Sequence, residues 1–223
     1  MRNNRKGTET MHHKGPVNPG PVDDMLDEAL EDTFPASDPV AVGSKGRASA
    51  RPPAPGMPAG GWRMHRTLND LPEAARTQSV TLLNDMLADA LDLRLQVKQA
   101  HWNVKGPSFI GLHEMFDHVE HEVSEFTDEI AERVAQLGGV ALGTLGVIAE
   151  RSRLPEYPLE ISDGRHHVRA LSRSLAEFGR HARAAIDTAT GSNDAGTIDL
   201  ITQVLRTNDK LLWKVEAHDQ DED

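Results

Sequence analysis

From Leu71 onward, apolar residues recur at three- and four-residue steps, the spacing of an α-helix. The stretch LPEAARTQSVTLLNDMLADALDLRLQVKQAHWNVKG has Pro72 near a helix start, and Gly106-Pro107 stops it. Leu83, Leu87, Ala90, Val97 and His101 share one face, whereas Leu82, Met86 and Leu93 lie elsewhere on the circumference. A helix apolar on more than one side is buried on more than one side. In a domain this small, that points to packing against other subunits. A second helix is expected from about Phe109 to Leu137, with Ser108 as N-cap and Gly138-Gly139 as the stop. The connector VALGTLGVIAERSRLPEYPLEI follows, with one short helix expected near Leu145 to Glu150. A third helix begins at Ser162 or Asp163 and ends near Gly191, and a fourth runs from about Asp194 to Ala217. No strand pattern and no internal repeat stands out.

Four long helices with one long connector describe an all-α, ferritin-like four-helix bundle better than a plain up-and-down one, because the connector can cross from one end of the bundle to the other. Residues 1–61 differ in kind. They are rich in Pro and Gly, close with ARPPAPGMPAGG, and offer little that could pack, which predicts a disordered N-terminal extension. Within it, PVDDMLDEALEDTFPASDP reads either as a solvated tail or as a short acidic amphipathic helix that docks on a partner. The expected limits are the extension over 1–61, the helical domain over 62–219 and an acidic C-terminal tail over 220–223.

Composition narrows the chemistry. The 223 residues include 38% hydrophobic but only 4% aromatic ones, so the core is built from aliphatic side chains, as suits packed helices. The formal charge of −11 makes a field that attracts cations and, as a whole, repels nucleic acid. With no cysteine, disulfides, zinc ribbons and thiolate clusters are excluded, and any metal is held by His, Asp and Glu. The N-terminus lacks the apolar run of a secretory signal, and no stretch reaches the roughly 18 apolar residues of a membrane span. A soluble cytoplasmic protein with no membrane partner is the expectation.

The polar residues of the second helix carry the candidate chemistry. His113 and Asp117 are four apart, as are Asp128 and Glu132, and eleven residues separate Asp117 from Asp128. At roughly 100° per residue all four fall in an arc of about 100°. A core-facing stripe should be apolar, so this one needs a reason. Single pairs of this kind are common on solvated helices, but a metal site would use the whole stripe. Eleven residues span about 16 Å along the axis, whereas metal–ligand bonds are about 2.0–2.2 Å. One ion in one chain therefore cannot touch both pairs. Two copies of the helix, antiparallel across a two-fold axis, would bring one pair of each chain against the other pair of its mate and make two sites. His101, at the end of the first helix, could add a nitrogen. By spacing alone His121 also lies near the stripe, while His118 points away.

The segment KQAHWNVKGPSFIGLHEMFDHVEHEVSEFTDEIAERVAQLGGVALGT resembles the signature of the Dps family, the DNA-protecting ferritin-like proteins of stressed bacteria. The resemblance covers about residues 72–217, includes LLWKVE near the end, and leaves 1–61 uncovered. His101-Trp102, His113, Asp117, Asp128 and Glu132 stand at the family's spacing. The resemblance implies that these five ligands are the catalytic residues of a two-iron ferroxidase site. His101, His113 and Asp117 would come from one chain, Asp128 and Glu132 from its mate. It also implies a homo-oligomer, a hollow shell of twelve subunits, that oxidises Fe(II), preferentially with hydrogen peroxide, and stores ferric mineral. His118 and His121 match no family ligand. Trp102, beside a ligand, is a candidate electron or radical relay, with packing at a subunit contact as the plainer role. Asp187, Asp194 and Asp199, around the start of the fourth helix, are candidates for an acidic iron-entry pore. Asp194 would equally serve as an N-cap.

Family members often bind DNA through a basic tail. Arg2, Arg5, Lys6 and Lys14 form such a cluster, which would make DNA a partner and associate the protein with the nucleoid. Against that, over residues 1–61 seven basic residues face eight acidic ones, and the chain ends in DQDED. A ferroxidase and iron store, a DNA-compacting protein with a secondary metal site, and a bare structural bundle are the three readings. The five matched ligands favour the first.

Overall fold

The computed structural model describes residues 64–220, and all of its regular elements are helical: α1 (Glu73–Asn103), α2 (Phe109–Gln136), α3 (Leu145–Arg151), α4 (Gly164–Gly191) and α5 (Ala195–Glu216). Among the described residues there is no β-strand; an isolated bridge joins Lys105 and Asp163. The helices expected from the sequence are all present, with ends shifted by a residue or two. The extension over 1–61, its acidic segment and the last three residues lie outside the described residues. No described helix is long and apolar enough to cross a membrane.

The chain folds as two antiparallel hairpins, α1–α2 and α4–α5, packed side by side with α1 on α4 and α2 on α5. Between them the connector runs the length of the bundle. It leaves the C-terminal end of α2, where Arg76 donates to the Leu137 carbonyl (2.9 Å) and His65 N donates to the Gly138 carbonyl (2.7 Å). It arrives at the far end of α1, where Lys105 N donates to the Ser162 carbonyl (2.9 Å). Gly138 turns the chain at φ 85°, and a Cβ there would sit 2.5 Å from the His65 carbonyl oxygen, so only glycine fits without strain.

The core is aliphatic, as the composition requires. Leu83, Leu87, Leu93 and Val97 of α1 meet Phe116, Val123 and Ile130 of α2, Leu171, Leu175 and Phe178 of α4, and Ile201 and Leu211 of α5. Phe126 and Phe178 stack with centroids 5.4 Å apart. Such a pair adds about 0.5–1.5 kcal/mol beyond burial.

The packing of α1 differs from the sequence expectation of contact with other subunits. Its wide apolar circumference is covered within the chain, by α2, α4 and α3, so it does not of itself call for other subunits. Part of the covered surface is polar. Buried Asn84 accepts from Leu142 N (2.9 Å) and donates to the Val140 carbonyl (3.1 Å). Further along α1, Asp85 pairs with Arg151, Asp92 accepts from Ser152 Oγ (2.5 Å), and Gln96 donates to the Pro155 carbonyl (3.1 Å). Fully buried Asp89 accepts from Arg153 N (2.8 Å), Arg153 Nη2 (2.5 Å) and His181 Nδ1 (3.0 Å). Asp85, Asp89, Asp92 and Gln96 follow helical steps, so this face of α1 is a polar ladder on which the connector is laid.

Candidate metal centre

Three of the five expected ligands come together where α1 ends and α2 begins. The turn Val104–Ser108 reverses the chain through Gly106, at φ 109°, and sets His101 beside His113. The two rings stack with centroids 3.8 Å apart and planes 21° from parallel. Each holds the other's backbone: His101 Nδ1 donates to the His113 carbonyl (3.0 Å), and His113 Nδ1 donates to the His101 carbonyl (2.9 Å). The exchange satisfies a carbonyl in the last turn of α1 that the helix itself leaves open. It also fixes both tautomers. With the proton on Nδ1, each Nε2 presents a bare lone pair, the form in which imidazole binds a metal.

Asp117 completes the group. Its Oδ1 lies 3.9 Å from His101 Nε2, and its side chain is 60% exposed, open to whatever approaches. The same oxygen accepts from Lys98 Nζ (2.8 Å), which also lies 3.5 Å from Glu120. The hydrogen bond from Lys98, then its charge, holds the Asp117 carboxyl below the usual carboxylate range and raises the ammonium in turn. Burial pushes the neighbouring Glu120 carboxyl up, but contacts from Arg94 and Lys98 outweigh that and bring it down. The candidate group thus sets two imidazole Nε2 atoms near one ionised carboxylate, with an ammonium on the carboxylate. Lys98, Glu120 and Arg94 did not stand out in the sequence. The signal was there for Lys98, three residues before His101 and so on its face of the helix.

Asp128 and Glu132 lie farther along α2, both exposed, with no hydrogen bond or ion pair to another described residue. Asp128 borders a groove between α1 and α2 lined by Leu87, Leu91, Arg94, Thr127 and Ala131. Among the described residues, no three His, Asp or Glu side chains of one chain cluster closely enough to hold an ion. The ligand stripe does not face the core. Leu112, Phe116, Val119, Val123, Ile130 and Val134 make the buried face of α2, and the stripe flanks it, turned outward.

The remaining candidates are scattered. Trp102 is 67% exposed, and Leu95 and Ile110 nearby in sequence are exposed too. His118 Nε2 accepts from Lys214 Nζ (3.0 Å), and His121 is exposed. Asp187 and Asp199 are exposed on α4 and α5. Asp194 is buried as the N-cap of α5, accepting from Thr197 N (3.0 Å), Thr197 Oγ1 (2.6 Å) and Arg133 Nη2 (2.7 Å). Burial raises its carboxyl, but the bonds from Thr197 and the Arg133 charge win and hold it below the ordinary value. Arg2, Arg5, Lys6 and Lys14 lie outside the described residues.

Comparison with known proteins matches residues 80–223 to the ferritin-like domain family. A DNA protection during starvation protein of Agrobacterium fabrum is 42% identical over 159 residues, 71% of this chain and 98% of the relative. Among solved structures, DpsC from Streptomyces coelicolor is 31% identical with a TM-score of 0.69, over 72% of this chain and 94% of that one. Dps from Mycobacterium smegmatis, in a tetragonal crystal form, is 33% identical with a TM-score of 0.66, over 69% of this chain and 93% of that one.

Proposed function

This chain belongs to the Dps family of ferritin-like proteins, and on that premise we propose that it is a ferroxidase and iron store whose two-iron sites are each shared by two copies. One copy supplies His101, His113 and Asp117; its two-fold mate supplies Asp128 and Glu132. The observation that carries the reading is the reciprocal clasp of His101 and His113, which spends both Nδ1 atoms on backbone and leaves both Nε2 atoms as donors. Carboxylates and imidazoles suit Fe(II) and hold it loosely enough to release Fe(III) inward.

The chain's residues have separate tasks. The clasp fixes the imidazoles before iron arrives, so no ordering cost falls on binding. Asp117, and the mate's carboxylates, offset the charge that grows as Fe(II) becomes Fe(III). Two Fe(II) held there would each give one electron to one hydrogen peroxide, whose O–O bond would break and, with two protons from solvent, yield two waters without free hydroxyl radical. Ferric mineral then collects inside a shell of twelve chains, and DNA is spared oxidative damage. Asp187 and Asp199, exposed near the start of α5, remain the candidates for iron entry, whereas the Asp194 carboxylate is committed to capping. Exposed Leu95, Trp102 and Ile110 near the half-site suit a subunit contact.

Asp128→Ala combined with Glu132→Ala should abolish rapid Fe(II) oxidation by peroxide and leave the assembly intact by size-exclusion chromatography. Wild-type rates in that variant would defeat the reading.

A further inference from the structure

The chain has one tyrosine, and the structure gives it a partner that bulk solvent would not. Tyr157 lies on the connector, and its phenol Oη is 2.6 Å from His167 Nδ1 on α4. The rings stack at 6.2 Å, 22° from parallel. His167 is 1% exposed, and its other nitrogen, Nε2, faces the backbone of Asn103 without reaching hydrogen-bond geometry. A buried nitrogen without a partner is uncommon and asks for a reason. Asn103 is the last residue of α1, two after His101, with Trp102 between. The Tyr157–His167 pair therefore backs directly onto the helix end that carries the half-site.

We infer that Tyr157 and His167 form a proton-coupled redox pair that takes up single oxidising equivalents escaping the metal site; this rests on the ferroxidase reading. When one Fe(II) alone reduces hydrogen peroxide, it becomes Fe(III) and yields hydroxide and a hydroxyl radical. One electron passes from the phenol to that radical, which becomes hydroxide. The phenol O–H bond breaks, and its proton forms an N–H bond at His167 Nδ1. The products are a neutral tyrosyl radical and an imidazolium. A further Fe(II) then gives one electron back, becoming Fe(III), and the proton returns to the phenol oxygen.

The surroundings favour this division of labour. Burial holds the imidazole of His167 in its neutral form, leaving Nδ1 free to accept while Nε2 carries the proton. Burial likewise pushes the Tyr157 phenol up, so it does not ionise ahead of the electron's departure. Of the charges facing His167, Asp163 favours the imidazolium once it forms, and His166 opposes it. The acceptor sits at the short end of hydrogen-bond reach, where a proton moves with little rearrangement.

With a single tyrosine, any tyrosyl radical on the protein is Tyr157, which makes the test clean. The assembled full-length protein receives Fe(II) and limiting peroxide, is freeze-quenched, and is read by electron paramagnetic resonance. In parallel a photogenerated ruthenium(III) polypyridyl oxidant, which needs no iron, drives the same oxidation. Ring-deuterated tyrosine should narrow the signal and confirm its origin. Wild type should give a tyrosyl signal with both oxidants, and Tyr157→Phe none with either. His167→Gln keeps a hydrogen-bond acceptor but not a base, so it should preserve folding while slowing radical formation on the order of 100-fold. An unslowed His167→Gln, or no tyrosyl signal in wild type from the photo-oxidant, overturns the pair. A photochemical signal without an iron-driven one, in protein that oxidises Fe(II) normally, overturns the link to the metal site. Protein that fails to oxidise Fe(II) defeats the ferroxidase reading instead, and the photochemical arm still decides the pair.

Discussion

Asp89 offers the sharpest test of how the bundle is held. Its carboxylate is fully buried and joins three parts of the chain: α1, the connector through Arg153, and α4 through His181. Removing one member of a buried charge network costs about 3–5 kcal/mol, because the partners stay buried without it. Here the cost is unevenly spread. The Arg153 side chain is 43% exposed and regains water, so its loss is small. His181 Nδ1 remains enclosed and the part-buried Arg153 backbone N–H loses its acceptor, and leaving them open costs about 1–3 kcal/mol. His181 keeps a contact at its other nitrogen, Nε2, with Arg180 Nη2 (3.0 Å). The lower end of the range follows, about 3 kcal/mol for Asp89→Ala, or about 6–12 °C in Tm for a body of about 150 residues. Arg153→Ala should cost about 1 kcal/mol, since it removes only the half-exposed partner. Far-UV circular dichroism melts at one fixed subunit concentration read both, because assembly adds to apparent stability. A drop below about 2 °C for Asp89→Ala, or a larger loss for Arg153→Ala, would refute the claim that this carboxylate anchors the connector.

Other consequences follow from single contacts. Asp194→Asn keeps a capping oxygen for Thr197 N but loses the charged acceptor that Arg133 and Thr197 Oγ1 share, about 1–3 kcal/mol at neutral pH. Because the folded carboxyl sits below its unfolded value near 3.9, the advantage of Asp194 is complete above about pH 4 and fades as pH falls further. A gap in Tm that stays constant through that acid range would contradict the assignment. Lys98→Met removes the ammonium that occupies Asp117 and should tighten anaerobic Fe(II) binding, measured by titration calorimetry; weaker binding would show that Lys98 assists iron instead. At low salt the full chain should retard DNA in a gel, and a chain starting at Gly61 should not, if Arg2, Arg5, Lys6 and Lys14 make the contact. Equal retardation by both would rule out the extension.

The helices were legible because they rest on local signals. Pro72, Asp163 and Asp194 mark starts, Gly138 marks a stop, and three- and four-residue steps fill the intervals. The shared face of His113, Asp117, Asp128 and Glu132 was legible for the same reason, since spacing within α2 is fixed by helix geometry. What escaped is what joins distant positions. Asp89 meets Arg153 across 64 residues and His181 across 92, and no periodicity announces such a meeting. The broad burial of α1 has the same origin: α2, α4 and the connector cover it within the chain, and spacing along one helix does not say which neighbour does so. The His101–His113 clasp was invisible too, for it depends on the angle at which the Gly106 turn returns the chain. Spacing named both histidines but not the nitrogen that each would offer.

Complementation puts the shared site at risk most directly. Assemblies of Asp117→Ala chains alone, and of Asp128→Ala/Glu132→Ala chains alone, should be inactive in peroxide-driven Fe(II) oxidation. Unfolded together and reassembled at equal amounts, half of the pairs are mixed, and each mixed pair owns one site with every ligand intact. About a quarter of the wild-type rate should return. A mixed assembly as inactive as its parents would place each site within a single chain.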